Sequence, residues 1–253
     1  MARILATINA KGGVGKTTTA INLGAYLAAS GKYVLLVDLD PQANATAGLG
    51  IEMADHHGNL YHSLIGDKEP NSLIRRSSIL GFDVLPAAAS LAGANVELIS
   101  MEDRETKLKE VLDKVRTNYD YIIIDSPPSL GILTINGLVA AEGLIIPVQC
   151  EYYALEGLGQ LTKTIDLVRQ QLNPQLQIYG VLPTMYDRRN TLSRQVLNEL
   201  QKKFSGRVFE SIIPRSVSLA EAPGYGKSIL QFDEGSRGAR AYRDLAREVI
   251  QLT

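Results

Sequence analysis

The 253-residue sequence predicts an α/β fold in which a mostly parallel, twisted sheet is flanked by helices on both faces. Apolar runs alternate with helical patterns along the chain, and these runs are continuous in Val, Ile and Leu, as expected for strands that are covered on both sides. A glycine-rich stretch joins the first run to the first helix. Apolar residues make up 45% of the chain and no linker-like stretch divides it, so we expect a single domain over residues 1–253.

Seven apolar runs are predicted as strands and six intervening patterns as helices. The strands are expected at residues 3–8, 33–38, 82–86, 121–125, 143–148, 178–184 and 208–213. The helices are expected at residues 17–29, 104–117, 133–141, 157–171, 192–204 and 239–251. Ligands of parallel sheets bind at the carboxyl ends of the strands, so the residues that follow these runs are the first candidates for a site.

The glycine-rich loop after the first strand has the features of a phosphate-binding loop. It consists of Lys11, Gly12, Gly13, Val14, Gly15, Lys16, Thr17 and Thr18. Glycines let backbone N–H groups turn toward one anion, and the helix N-terminus adds partial positive charge there. In this pattern Lys16 contacts the β- and γ-phosphates and Thr17 binds Mg²⁺. Ala10 replaces the first glycine of the usual pattern, and a second lysine, Lys11, lies inside the loop.

Acidic residues end two of the predicted strands. Asp125 closes the run 121–125, where a carboxylate would bind Mg²⁺ directly or through a water, although Asp-Ser-Pro-Pro is also good turn chemistry. Asp38 and Asp40 follow the run 33–38, and a spacing of two places both side chains on one face. Neighbouring carboxylates are tolerated beside a cation such as Lys16 or Mg²⁺. Asp38 is therefore predicted to support the site, toward Lys16.

These residues resemble the deviant Walker A motif of the ParA/MinD group of ATPases. Three further stretches are similar to the chromosomal ParA branch, often called Soj: residues 37–42 (Val-Asp-Leu-Asp-Pro-Gln), 122–128 (Ile-Ile-Ile-Asp-Ser-Pro-Pro) and 148–157 (Val-Gln-Cys-Glu-Tyr-Tyr-Ala-Leu-Glu-Gly). The resemblance extends from Ala2 to about Val249. It implies a P-loop NTPase fold of the deviant Walker A type, with ATP and Mg²⁺ as cofactors.

The resemblance also implies roles for individual residues. Lys11 would contact the phosphates of a second protomer, so that hydrolysis requires a homodimer, and Asp40 would orient or polarise the attacking water. Lys11, Lys16 and Asp40 are thus the predicted catalytic residues, and Thr17, Asp40 and Asp125 the predicted metal site. The base-contacting positions match Thr184, Met185, Pro214 and Arg215. Without the resemblance, Met185 is equally well explained as a core residue and Pro214 as the end of a strand.

DNA contacts are predicted from local basic residues, because the formal net charge of −1 gives no global sign of a nucleic-acid partner. The family's sequence-independent contact to DNA matches Arg189. The candidate set is Arg188, Arg189, Lys227, Arg237 and Arg240. Surface charges without a ligand explain Arg237, Arg240 and the nearby Arg243 almost equally well. Ser218 stands where related chains carry an arginine, so one phosphate contact is expected to be missing.

The function implied by the resemblance is an ATP-dependent dimerising switch that binds double-stranded DNA non-specifically. It would act in chromosome or plasmid partitioning, with slow ATP hydrolysis stimulated by a ParB-type partner. Two alternatives stay open: a MinD-like or other cargo-positioning ATPase, and a metabolic P-loop enzyme acting on a small molecule. A basic amphipathic membrane tail is not evident, because the last pattern is typical of a helix packed on a core, so no stable membrane anchor is expected.

Cysteine content and hydropathy narrow the class of protein further. Cys150 is the single cysteine, which excludes an internal disulfide and the paired cysteines of an iron–sulfur ATPase. No apolar run approaches the ~20 residues of a membrane span, and we expect a cytoplasmic, nucleoid-associated protein. His56, His57 and His62 are not spaced as metal ligands, and Glu151, Tyr152 and Tyr153, which resemble a family stretch near the dimer face, receive no chemical role.

Overall fold

A computed structural model describes residues 1–52, 58–151 and 154–253, with the backbone alone at residues 154–156 and 203. The strands of the sheet are β1 (Arg3–Thr7), β2 (Val34–Asp38), β3 (Arg75–Arg76), β4 (Phe82–Leu85), β5 (Tyr121–Asp125), β6 (Gly143–Gln149) and β7 (Gln177–Thr184). They lie in the order β3-β4-β2-β5-β1-β6-β7, and every neighbouring pair is parallel except β3 with β4. The predicted mostly parallel sheet is confirmed.

Helices cover both faces of this sheet. The α-helices of the described chain are α1 (Lys16–Ala29), α2 (Asn44–Gly48), α3 (Leu60–Leu64), α4 (Pro70–Leu73), α5 (Ala94–Glu97), α6 (Lys107–Asp113), α7 (Ile132–Ala140), α8 (Ala154–Gln171), α9 (Thr191–Lys203), α10 (Val217–Glu221), α11 (Ile229–Phe232) and α12 (Arg237–Leu252). Short 3₁₀ helices span Ala89–Gly93, Leu98–Ser100, Arg116–Asn118 and Ala222–Tyr225. No helix among the described residues is long and apolar enough to span a membrane.

Alternate residues of each strand enter two separate cores. Ile4, Ile122 and Ile124 belong to a cluster that continues into α6, α7 and α8, whereas Leu5 and Ile123 belong to one that continues into α1 and α12. This division follows from the period of two along a strand, which sends neighbouring side chains to opposite faces. Continuous apolar runs are therefore the sequence signature of this doubly covered sheet.

The segment 208–213 is not a strand, and its prediction as one is wrong. It meets the β7 edge at isolated bridges, Val181 with Val208 and Tyr186 with Pro214, and at backbone hydrogen bonds that form no continuous ladder. The N–H groups of Glu210 and Ser211 donate instead to the carboxylate of Glu248 in α12, at 3.0 and 2.7 Å. Because a side chain takes these donors, the strand ladder does not continue.

The predicted helix at 104–117 is also shorter in the structure. Only Lys107–Asp113 forms α6, and Arg116–Asn118 follows as a 3₁₀ turn. Asn136 of α7 accepts a hydrogen bond from the N–H of Leu108 at 2.9 Å and donates to the carbonyl of Arg104 at 2.8 Å. These side-chain bonds at the start of α6 are tertiary contacts that local periodicity does not reveal.

A glycine in α1 provides a test of the packing between α1 and the sheet. A Cβ atom built on Gly24 would lie 2.5 Å from the ring of Phe82, which is fully buried. Gly24→Ala is expected to lower the free energy of unfolding by about 1–3 kcal/mol, because overpacking outweighs the gain in helix propensity. Denaturant unfolding measures this difference.

Gly159→Ala in α8 is the matched control, because a Cβ at Gly159 meets no atom within 4 Å. That variant should be as stable as the parent or more stable by up to ~1 kcal/mol. Equal stability of the two variants would contradict the tight contact between α1 and β4.

Candidate nucleotide-binding site

The glycine loop lies between the carboxyl end of β1 and the N-terminus of α1. Gly13 and Gly15 have φ angles of 73° and 93°, a region that side chains with a Cβ rarely adopt. Gly15 precedes the first residue of α1, and no side chain caps this helix end. The first N–H groups of α1 therefore point into the loop without a side-chain acceptor, which is the usual geometry of an anion site.

Two adjoining cavities flank this loop. The first, of about 360 Å³, is lined by Gly12, Gly13, Gly15, Lys16, Thr17, Thr18, Ile21, Asn22, Asp40, Asn44, Pro128, Met185, Ala222, Pro223 and Lys227. The second, of about 250 Å³, is lined by Gly15, Thr18, Thr184, Met185, Ile213, Pro214, Arg215, Ser216, Leu219, Ala220 and Tyr242. We call the first the phosphate-side cavity and the second the base-side cavity, and both are lined by Gly15, Thr18 and Met185. The structure thus brings predicted phosphate-binding and base-binding residues together around two adjoining cavities.

Lys16 is buried at the floor of the first cavity, with 6% of its surface exposed. Its ammonium donates to the carbonyl oxygen of Lys11 at 3.2 Å. Burial lowers the pKa of this ammonium, whereas the charges of Asp125 and Asp40 act in the opposite direction. A buried ammonium that lines this cavity can donate charge-assisted hydrogen bonds to a phosphate.

Asp125 contributes a buried carboxylate from the end of β5. The hydroxyl of Thr7 donates to its Oδ1 atom at 3.3 Å, whereas Oδ2 is buried without a hydrogen-bond partner. Burial, and then the charge of Asp38, raises the pKa of Asp125 to about 8, while Thr17 and Lys16 oppose that shift. An orphaned carboxylate oxygen beside a threonine hydroxyl fits a divalent cation.

The donor set is that of a magnesium site completed by other ligands. Among residues 1–52, 58–151 and 154–253, no group of three or more His, Cys, Asp or Glu side chains is arranged to hold a metal by itself. Thr17 and Asp125 could supply two oxygens, and phosphates and waters the rest, as Mg²⁺ prefers. His56 and His57 lie outside the described residues, and His62 closes a capping box with Asn59 at the start of α3.

Asp38 does not point toward Lys16, and that part of the prediction is wrong. Its Oδ2 accepts hydrogen bonds from the N–H and the hydroxyl of Thr46 at 2.8 and 2.7 Å, and its Oδ1 accepts from the N–H of Asp40 at 3.2 Å. Burial raises the pKa of Asp38 to about 6 despite these bonds. Asp38 therefore fixes α2 and the turn that carries Asp40, rather than the P-loop lysine.

Asp40 lies on the wall of the phosphate-side cavity. Its Oδ1 accepts from the N–H of Gln42 at 3.0 Å, which stabilises the turn before α2. The side chain is nearly buried, with 7% exposed. One backbone N–H thus holds the carboxylate at the cavity wall.

Lys11 occupies a different position from Lys16, although both belong to one loop. Its side chain is 53% exposed, and its ammonium lies 3.7 Å from Glu151. Lys11 is not among the described residues that line either cavity. Its cation therefore faces outward, where a second molecule can reach it.

The predicted DNA-binding residues do not lie together, and four of them line two different cavities. Arg188, Arg189 and Arg237 line a third cavity of about 420 Å³, together with Arg215, whereas Lys227 lines the phosphate-side cavity. The guanidinium of Arg189 donates two hydrogen bonds to Asp187, at 3.2 and 3.1 Å.

Arg240 and Ser218 lie outside these cavities. Arg240 is exposed on α12. Ser218, in the place of the expected arginine, donates to Asp233 at 3.0 Å. Tyr152 and Tyr153 lie outside the described residues.

Sequence reasoning did not identify Tyr242 as a residue of the site, and it named Thr184 only as a base-contacting position, not as a support of the loop. The Thr184 hydroxyl donates to the carbonyl of Val14 at 2.8 Å, which ties the buried Val14 of the loop to β7. The Tyr242 hydroxyl is 3.2 Å from that of Thr19, so α12 braces the first turn of α1. An isolated threonine and an isolated tyrosine carry no local signal for either role.

The sheet order, the loop and the cavity define a nucleotide-binding P-loop protein. The family model described as AAA domain matches residues 2–178. The chain is 55% identical over 249 residues to the sporulation initiation inhibitor protein Soj of Bacillus subtilis, with 98% of each chain covered. It is 49% identical to the chromosome partitioning protein ParA of Myxococcus xanthus, with 98% of this chain and 88% of that protein covered.

A solved structure has the same fold. The cobyrinic acid a,c-diamide synthase from Mycobacterium smegmatis, with bound ADP and magnesium, is 42% identical and matches with a TM-score of 0.88, over 99% of this chain and 95% of that one. The chain belongs to the ParA/Soj family of P-loop ATPases, within the ParA/MinD group.

The two buried carboxylates predict how stability depends on pH. The folded protein raises the pKa of Asp125 to about 8 and that of Asp38 to about 6, well above the ordinary value of 3.8. The folded state therefore binds more protons than the unfolded state. In metal-free buffer the free energy of unfolding should fall by roughly 1 kcal/mol per pH unit as the pH rises from 5 to 8.

Denaturant unfolding at several pH values, with a chelator present, measures this slope. Asp125→Asn cannot ionise and should be much less sensitive to pH above 6. A wild-type stability that stays level or rises over this interval would show that Asp125 is ionised in the folded protein.

Proposed function

We propose that this chain is an ATP-dependent dimerising switch that binds DNA non-specifically and acts in chromosome or plasmid partitioning. The proposal rests on the different positions of the two lysines in the loop. Lys16 is buried at the cavity that would hold the protein's own nucleotide, and Lys11 is exposed outside it. A cation fixed to the phosphate loop but directed away from its own cavity suits contact with the phosphates of a second protomer.

The proposed nucleotide is ATP with Mg²⁺. Loop residues 11–18 would surround the phosphates, with N–H groups donating from Gly12 through Thr18, and the cavity of Met185, Pro214 and Arg215 would receive the base. Thr17 and Asp125 would hold the cation, and Asp40 would complete its surroundings. The ADP and magnesium in the Mycobacterium smegmatis structure support this assignment.

The proposed reaction is slow hydrolysis of ATP to ADP and phosphate. Transfer of a phosphoryl group to water depends on positioning and charge stabilisation. Asp40, held by the backbone N–H of Gln42, would orient the water, and Lys16 would neutralise charge on the transferred group. Bound Mg²⁺ would supply further positive charge at the phosphates. Lys11 from the second protomer would complete the set, so that turnover requires the dimer.

The third cavity, called the arginine-lined cavity below, is the proposed contact to DNA. Arg188, Arg189 and Arg237 converge there, close to the base-side wall at Pro214 and Arg215. Phosphates opposed by arginines need no base readout, so binding would be independent of sequence and sensitive to salt. A ParB-type partner would stimulate hydrolysis, and association with DNA would place the protein on the nucleoid in the cytoplasm.

Two observations bear on the alternatives, a MinD-like ATPase and a metabolic P-loop enzyme. A membrane-cycling, MinD-like protein needs an exposed apolar helix face, whereas Ala239, Tyr242, Leu245, Ala246 and Val249 of α12 are all buried. A metabolic enzyme is suggested by the name of the Mycobacterium smegmatis protein, at 42% identity. The identities of 55% and 49% to Soj and ParA, over nearly the whole chain, favour partitioning.

Sedimentation with and without ATP, and with and without arbitrary duplex DNA, tests the proposal. The wild type should sediment as a dimer only with ATP and should then bind duplex DNA of any sequence. Asp40→Ala should also dimerise and bind DNA in ATP but should lose turnover by two or more orders of magnitude, because it lacks the group that orients the water. Lys16→Ala should bind no nucleotide and stay monomeric.

The arms of this experiment separate the alternatives. A monomer that hydrolyses ATP rapidly without DNA, and that accelerates with a corrinoid acid, would establish the metabolic enzyme instead. An Asp40→Ala variant that remains monomeric in ATP would show that Asp40 acts in assembly. Nucleotide affinity retained in Lys16→Ala would remove the P-loop assignment.

Asp187 and Arg189 provide a separate prediction about DNA affinity. Pairing with Arg189 lowers the pKa of Asp187 to about 2, so this carboxylate is charged at physiological pH and competes with DNA phosphates for Arg189. In the ATP state, Arg189→Ala should weaken binding equally across sequences and reduce the salt slope by about 1. Asp187→Asn should strengthen binding.

Asp166→Asn is the matched control, because Asp166 also pairs with an exposed arginine, Arg169, but on α8. It makes the same charge change away from the arginine-lined cavity. Equal effects of Asp187→Asn and Asp166→Asn would mean that net charge alone determines affinity.

A further inference from the structure

Glu151 joins two functional parts of the site, although the sequence gives it no role. Its Oε2 lies 3.7 Å from the Lys11 ammonium, and its Oε1 lies 3.7 Å from Nη2 of Arg215. Gln149, the last residue of β6, donates from Nε2 to Oε1 at 2.5 Å. One carboxylate is therefore fixed between the outward lysine of the phosphate loop and an arginine of the base-side cavity.

The backbone of Lys11 is held by its own chain as well. Its N–H donates to Oδ1 of Asn9 at 3.0 Å, and Nδ2 of Asn9 donates to the carbonyl of Pro147 in β6 at 2.8 Å. Its carbonyl accepts from the Lys16 ammonium at 3.2 Å. The backbone N–H and the backbone carbonyl of Lys11 thus both have hydrogen-bond partners within one protomer.

We propose that Glu151 is a positioning residue that holds Lys11 on its own protomer in the nucleotide-free chain. Its release then becomes a step of ATP-driven dimerisation. This inference rests on the proposed function, because it assumes that Lys11 reaches the phosphates of a second protomer. The ammonium has two competing anionic partners, the carboxylate of its own chain and the phosphates of the other chain. The Glu151 contact therefore opposes assembly until a phosphate replaces it.

Nucleotide binding would remove one backbone restraint on Lys11 through Lys16. A phosphate in the loop attracts the Lys16 ammonium, which now donates to the carbonyl of Lys11. Removing that bond leaves the Lys11 backbone held by Asn9 and its side chain by Glu151. The nucleotide's own site thereby prepares the lysine that serves the second protomer.

The expected size of the effect follows from the exposure of the pair. Lys11 and Glu151 side chains are 53% and 47% exposed, and ion pairs of this kind change an equilibrium by about two- to fivefold. Both protomers must release a lysine, so the factor enters the dimerisation constant twice. Removing the carboxylate should raise that constant by about four- to 25-fold.

The test uses Glu151→Gln, which keeps the length and the acceptor for Gln149 but removes the charge. The variant is made in the full chain with Asp40→Ala, so that hydrolysis does not dissipate the dimer. Rates of ATP-dependent association and dissociation are measured by stopped-flow light scattering at saturating ATP. Glu110→Gln is the matched control, because Glu110 also pairs with an exposed lysine, Lys107, in the distant helix α6.

Glu151→Gln should associate faster, dissociate at an unchanged rate, and lose its advantage at high salt, where the parental ion pair is screened. Glu110→Gln should match the parent. An unchanged association rate, or a dissociation rate that changes, would overturn the proposal, since Glu151 would then act in the assembled dimer or nowhere. If the parent forms no dimer with ATP, the proposed function itself fails. Parallel nucleotide titrations detect any indirect effect through Arg215.

Discussion

The burial of charge at the carboxyl end of the central strands is the constraint on which the rest of the site depends. β1 lies between β5 and β6, with Thr7 in register with Asp125 and Ile145. This register fixes the loop after β1 next to the acid that ends β5. Lys16, Asp38 and Asp125 are all nearly inaccessible there. Removing charged groups from water is costly unless they are paired. A phosphate and a divalent cation are ligands that would satisfy this cluster.

The C-terminal part of the chain stabilises the other half of the site. Glu248 in α12 accepts the N–H groups of Glu210 and Ser211, and Tyr242 in the same helix meets Thr19 of α1. These contacts fix the segment that leads to Pro214 and Arg215 on the base-side cavity. A single helix therefore connects the start of α1 to the base-side wall, which couples the two cavities through packing and hydrogen bonds.

On the exposed surface, cations are paired with carboxylates of the same chain. Lys11 is paired with Glu151, and Arg189 with Asp187, so two of the cations proposed to contact external phosphates have an acidic partner within the chain. Such exposed pairs are weak in water. They leave the cations in defined positions and would allow an external phosphate to displace the carboxylate, as the proposed switch requires.

The sequence by itself determined the sheet, the phosphate loop and the acids at its edge. Each depends on local order: continuous apolar runs of strand length, glycines at positions 13 and 15 where φ is positive, and a carboxylate directly after Ile124. Only the tertiary structure decided that residues 208–213 are not a strand, that Asp38 binds Thr46, and that Glu151 reaches both Lys11 and Arg215. These outcomes depend on contacts between residues far apart in the chain. Such contacts are set by packing and hydrogen-bond geometry, which leave no periodic trace in the sequence.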